Sequence, residues 1–350
     1  MRSAALNEKR NRQILAEIVR TYIETGEPVS SRAMSRRSPE ALSPATIRNV
    51  MSDLEEGGYL FQPHTSAGRV PTATAYKFFI QEIGSQATLS AEDQTYIRTE
   101  LDAAQTPIEI MERASHVLAT MSRGLGIVVS PPMARSVLEH IRFLALPEGR
   151  LLVVLISQNG LTRDKLIRPE KSFSQQTLDH TAEYLNRNFS GWTLDAIRAE
   201  LLARLALEHE RYDKLASTAL LLCDPSVLGE DSAAQVYVEG AAQIATAPEF
   251  ADAGQLRELL GAIEEKRMLV TLLTSCIEGP EPVQVQIGIK EIESAGAHLA
   301  LISAPFAMQD RVQGLLGVLG PMRMQYERAI TAVAYVAQLF SKHMSRSDRP

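Results

Sequence analysis

Residues 43–72 carry side chains whose types and spacing suit contact with a nucleic-acid duplex. Ser43 is a good helix N-cap and Pro44 fits the first helical position. Beyond them Ile47, Val50, Met51 and Leu54 fall in one arc at 3.6 residues per turn, and Thr46, Arg48, Asn49, Ser52 and Asp53 in the opposite one. A helix lying in a DNA groove needs this division, with one face packed and the other offering hydrogen bonds. Arg48 can bridge O6 and N7 of guanine, and Asn49 can bridge N6 and N7 of adenine. Glu55 and Glu56 lie at the far end, away from the N-terminal positions that usually meet bases. After Gly57-Gly58 and a short apolar strand at 59–61, Pro63-His64-Thr65-Ser66-Ala67-Gly68-Arg69-Val70-Pro71-Thr72 reads as a wing with Arg69 at its tip. A wing arginine can enter a minor groove or clamp a phosphate, and His64, Thr65 and Ser66 add phosphate contacts. Loss of Arg69 is then expected to weaken binding uniformly and flatten its salt dependence.

Two elements must position these residues. The apolar face Ile14, Leu15, Ile18, Val19, Tyr22 and Ile23 predicts a helix over 7–24, closed by Gly26 and Pro28. A second short helix starts near Ser30, with Ala33 and Met34 inward and Arg32, Arg36 and Arg37 outward. Residues 1–80 hold eleven basic and eight acidic residues, so a +3 head precedes a body of −9. Such a head suits phosphates. Three-helix units with polar outer faces also serve as dimerisation or scaffold pieces, and the pattern alone leaves both readings open.

Other chemistries find little support. Gly124-Leu125-Gly126 lacks the third glycine and preceding strand of a dinucleotide fingerprint and reads as a turn before a strand at 127–129. The remaining histidines (116, 140, 180, 209, 298 and 343) have no ligand spacing, and Cys223 and Cys276 are far apart, so neither a metal site nor a disulfide nor any cofactor is expected. No Walker A or Gly-x-Ser-x-Gly motif points to an enzyme. Without an apolar run of about 18 residues or a secretory leader, a cytoplasmic protein off the membrane is expected.

The block 42–60, followed by 63–72, closely resembles the HrcA family of heat-inducible transcription repressors. Supporting matches are Ile23-Glu24-Thr25-Gly26-Glu27-Pro28-Val29 and Gly317-Val318-Leu319-Gly320-Pro321-Met322-Arg323-Met324. The family pattern has Gly where Ser30 stands, and Gly-Tyr-Arg where Ala75-Tyr76-Lys77 stands. The resemblance implies a negative regulator of chaperonin and DnaK-type operons that binds double-stranded DNA at an inverted-repeat operator. It also implies a homodimer, support from the chaperonin GroEL, and release on heat shock.

Further along, 83–90 reads as a linker, with helices at 91–104 and 108–121. A hairpin (137–146 and 150–157) flanks Pro147-Glu148-Gly149. Strands at 283–290, 299–303 and 314–319 precede a helix over 325–343 that buries Ile330, Val333, Ala334, Ala337 and Phe340. This order predicts an α+β body carrying an insertion. The resemblance makes that body GAF-like and the insertion a dimerisation segment. The expected divisions are a winged helix-turn-helix at 1–82, linker helices at 83–122, the GAF-like domain at 123–171 and 233–345, and the insertion at 172–232. A metabolite-sensing winged-helix regulator that uses the GAF-like domain is the alternative.

Overall fold

The computed structural model describes residues 9–37, 42–65, 67–83, 88–131, 137–158, 160–169, 171–207, 213–222, 234–276, 282–292, 295–308 and 312–346. Helices α1 (Lys9–Thr25), α2 (Ser31–Arg37) and α3 (Pro44–Glu56) precede strands β1 (Leu60–Phe61) and β2 (Val70–Pro71). The two strands pair antiparallel, and Val29 bridges Arg69 beside them. A helix absent from the sequence reading, α4 (Ala73–Ile83), buries Ala75, Tyr76, Phe79 and Ile83, mainly against α1. Helices α5 (Ala91–Asp102) and α6 (Pro107–Ser122) follow, each opened by a hydroxyl cap, Ser90 and Thr106.

The body is a five-stranded antiparallel sheet. Its strands are β3 (Leu125–Val129), β7 (Val236–Glu239), β8 (Gln284–Ile287), β9 (Leu299–Met308) and β10 (Val312–Pro321), in the order β7-β3-β10-β9-β8. Side chains alternate between its faces. Leu125, Ile127, Leu299 and Leu301 meet the helices α11 (Ala253–Glu264) and α12 (Lys266–Cys276). Val128, Ile302, Phe306, Leu316 and Val318 meet α6 and the closing helix α13 (Tyr326–Arg346). The short α10 (Ala241–Ala245) lies between β7 and α11. Of the residues expected inside α13, Val333, Ala337 and Phe340 are buried, but Ala334 is exposed and Val336 and Leu339 pack instead.

The core on the α6–α13 face does not stop at the body. It runs without a break through Tyr326, Tyr76 and Phe79 to Ile14, Ile18 and Ile47 of the N-terminal unit. The rings of Tyr76 and Tyr326 lie 5.9 Å apart. Arg328 grips Asp93 with two hydrogen bonds (2.7 and 3.1 Å), and Arg20 reaches Glu327 at 3.0 Å.

The hairpin β4 (Leu138–Leu146) and β5 (Arg150–Ser157) forms where the turn signal predicts. Its place in the body is a correction. With β6 (Thr162–Ile167) it makes a separate three-stranded sheet. That sheet shares a core with α7 (Gln175–Phe189), α8 (Leu194–Leu207) and α9 (Asp213–Leu222), around Phe143, Val153, Leu178 and Phe189. The inserted unit therefore begins with the hairpin, before residue 172. Two amides from α7 satisfy the backbone along the outer edge of β4. Gln175 bonds Phe143 and Ala145, Asn186 bonds Ile141, and a free strand edge is thereby closed. The insertion leaves and rejoins the sheet at neighbouring points: Ser130 N–H donates to Gln235 O (2.8 Å), and Gln235 N–H to Ser130 Oγ (2.9 Å). Buried Arg163 of β6 donates to Ser130 Oγ and Pro131 O there.

Candidate nucleic-acid interface

The candidate surface is built on α3. Ile47, Val50, Met51 and Leu54 are buried as the periodicity requires, while Arg48, Asn49, Ser52 and Asp53 are exposed. The start of the helix is fixed locally. Ser43 Oγ accepts from Thr46 N–H at 3.1 Å and pairs with Thr46 Oγ1 at 2.9 Å. These two hydroxyls thus hold the helix end, and Thr46 is half-buried. Among the described residues, no side-chain hydrogen bond or ion pair within the protein engages Arg48, Asn49 or Ser52, so their polar groups face solvent ready for an external partner.

Ser30 stands just ahead of α2. Its Oγ accepts from Ala33 N–H (3.2 Å) and caps α2, a role that suits Ser at a helix start. On α2, Arg32 is exposed, whereas Arg37 is tied to Glu24 (2.9 Å) and Thr21.

The wing differs from expectation in one respect. Its tip is a turn closed by Ala67 N–H to His64 O and laced by Gln62, whose Nε2 donates to Thr65 O and Ala67 O, each at 2.9 Å. His64 and Thr65 are exposed at that tip, and Ser66 lies outside the described residues. Arg69 is not at the tip. Its backbone exchanges two hydrogen bonds with Val29 (2.8 and 2.9 Å), and its guanidinium pairs with Glu55 at 2.8 Å with only 19% of the side chain exposed. Glu55, which the sequence reading set aside, thus anchors the wing to α3, and Gln62 shapes the tip. Thr72 locks the wing's return through Gly58 O and Tyr59 O. No local spacing marks Glu55 as the partner of Arg69, because the pairing is set by the tertiary fold.

The Gly124–Gly126 segment has no part in this surface. Leu125 and Gly126 already belong to β3, and a Cβ on Gly126 would sit 2.0 Å from Ser115 O of α6. Helix and strand backbone touch there, which explains the glycine by packing. No described helix is long and apolar enough to cross a membrane.

Helix, turn, recognition helix and wing, mounted on a helix-covered antiparallel sheet, define a winged-helix transcriptional regulator. The family model described as the HrcA protein C-terminal domain matches residues 108–330. The heat-inducible transcription repressor HrcA of Geobacter sulfurreducens is 38% identical over 95% of this chain and 97% of its own. The repressors of the same name from Syntrophobacter fumaroxidans and Xylella fastidiosa strain M23 are 35% and 32% identical over 95% and 98% of this chain, and 96% and 97% of theirs. A solved structure described only as a hypothetical protein at 2.2 Å resolution shares the fold. It has a TM-score of 0.64 at 22% identity over 97% of this chain and 99% of that one. The chain belongs to the HrcA family of transcription repressors. Membership does not favour the metabolite-sensing alternative.

Proposed function

We propose that this protein is a heat-inducible repressor of chaperone operons, of the chaperonin and DnaK type, that binds an inverted-repeat operator as a homodimer in the cytoplasm. The observation that carries the reading is the free outer face of α3, where Arg48, Asn49 and Ser52 stand exposed beside the wing tip of His64 and Thr65. Arg32, Ser66 and the α3 N-terminus with Ser43 and Thr46 complete the operator surface. Arg69 serves it by holding the wing to α3. Support from the chaperonin GroEL, withdrawn when unfolded protein occupies the chaperonin on heat shock, belongs to the same reading. Nothing in this role calls for a catalytic step or a cofactor.

Dimerisation falls to the inserted unit. The face of its sheet turned away from α7 carries Leu144, Leu152 and Leu166 in one cross-strand row, with Leu144 and Leu166 43% and 51% exposed. The next row is Arg142, Val154 and Asp164. A second copy turned by a two-fold axis meets like with like in the leucine row and brings Arg142 of each copy toward Asp164 of the other. Because the β4 edge is already closed by Gln175 and Asn186, face-to-face contact is favoured over strand addition there.

A titration of the protein against an inverted-repeat chaperone operator and a scrambled duplex, at one salt concentration, tests the reading. A preference of about 10³ or more supports it. Equal binding to both duplexes, unchanged by added chaperonin, would refute it. Leu166→Asp should shift the sedimenting species from dimer to monomer, and an unshifted dimer would move the interface elsewhere.

A further inference from the structure

Two sequence blocks far apart in the chain, 23–29 and 317–324, meet in space. Gly26 closes α1 with a positive φ of +70°, and its N–H bonds Tyr22 O. A Cβ there would fall 2.1 Å from one guanidinium nitrogen of Arg323. The arginine therefore packs one end of its guanidinium against the turn after α1, where the negative end of the helix dipole favours a cation. Arg323 is itself held rigidly. Its Nε bonds Glu249 at 2.8 Å, both side chains being only about a fifth exposed. Met322 on one side donates its N–H to His298 O and accepts from the hydroxyl of Tyr326, while Met324 is buried on the other.

The gripped turn leads directly to the reading surface. Three residues beyond Gly26, Val29 bridges Arg69, which pairs with Glu55 on α3. Tyr76 with Tyr326 and Arg20 with Glu327 also tie the N-terminal unit to the closing helix. They hold the unit on the body, as does the packing of α4 on β8, and Arg323 adds the hold on the turn after α1.

We infer that Arg323, braced by Glu249, is a positioning residue for operator binding: it sets the angle at which the body presents the recognition helix. This rests on the repressor reading above, because the angle matters only if two helices must meet two half-sites at a fixed separation.

The test pairs a DNA measurement with one that needs no DNA. Full-length wild type, Arg323→Ala and Arg323→Lys are titrated against a single half-site and against inverted repeats whose spacer is lengthened or shortened by one or two base pairs. For Arg323→Ala we expect half-site affinity within about twofold of wild type and a loss of about tenfold in discrimination between spacers. Arg323→Lys, which keeps the charge but not the planar fork, should fall between. In parallel, spin labels at Ala33→Cys and Lys266→Cys, with Cys223 and Cys276 replaced by serine and labelled protein diluted in unlabelled, report the separation of the two units. The distribution should widen at least twofold in Arg323→Ala. An unchanged width overturns the grip, and a wider one with intact spacer discrimination overturns its role in operator reading. If wild type itself ignores the inverted repeat, the repressor reading fails while the distance measurement still decides whether Arg323 holds the unit.

Discussion

At the scale of single residues, the surface separates side chains that are free from side chains already engaged. Arg48 and Asn49 stand free, so Arg48→Ala and Asn49→Ala are each expected to lose about 1–3 kcal/mol and to relax preference at one base pair. Wild-type affinity and selectivity in Arg48→Ala would remove it from the contact set. Arg69 is engaged, which changes the sequence-based expectation for it. Its charge is balanced by Glu55, so Arg69→Ala should weaken all duplexes by displacing the wing and leave the salt dependence of binding unchanged. A slope reduced by about one would instead mean that Arg69 releases Glu55 to hold a phosphate. The two faces of α3 were legible because local periodicity decides them. The place of Arg69 was not, since it depends on Gln62 tightening the turn and on a bridge to Val29 forty residues earlier.

At the scale of elements, the pair Asp93–Arg328 joins the start of α5 to α13. The two hydrogen bonds from Arg328 hold the Asp93 carboxyl below its ordinary range against the opposing effect of burial. A depressed carboxylate stabilises the fold above its unfolded value near 3.9, and the contribution disappears as pH falls through the folded value. Asp93→Asn should therefore cost about 1 kcal/mol at pH 7, discounted for partial exposure, with the gap to wild type closing below about pH 3.9. Urea unfolding at pH 7 and 5 and at steps down to about pH 2 measures this, and a gap unchanged across the whole series would assign the effect to packing. Most elements were readable from periodicity and caps, including the hairpin and its turn. Their grouping was not: alternation shows that a strand has two faces but not which sheet it joins, so β4 and β5 were placed with the wrong one. Helix α4 was missed because Thr72 and Ala73 follow the wing directly, with no linker to mark a new start.

At the scale of the molecule, three cores share the work among the described residues, and of these the one on the α6–α13 face spans both the N-terminal unit and the body. Helix and strand backbone come close in it at Gly126, beneath α6. Gly126→Ala must push helix from strand against backbone atoms, and about 3 kcal/mol of stability should be lost, read as a lower denaturation midpoint. A loss below about 0.5 kcal/mol would show that α6 can shift freely. Because the same core reaches Ile18 and Ile47, the variant should lose operator binding in the same thermal step that melts the body, while the inserted unit, with a core of its own, can unfold at another temperature.

The insertion leaves the sheet at Ser130 and returns at Gln235, two residues hydrogen-bonded to each other. Any segment whose own ends lie side by side could occupy that gap, since lengthening a loop between fixed ends costs only about 0.6 kcal/mol per doubling. The parent sheet thus works as a socket. Its modules are exchangeable in principle: residues 132–233 replaced by a short turn should leave a one-armed protein that folds and reads a half-site, and a coiled-coil pair grafted there should restore two arms at a spacing chosen by the designer.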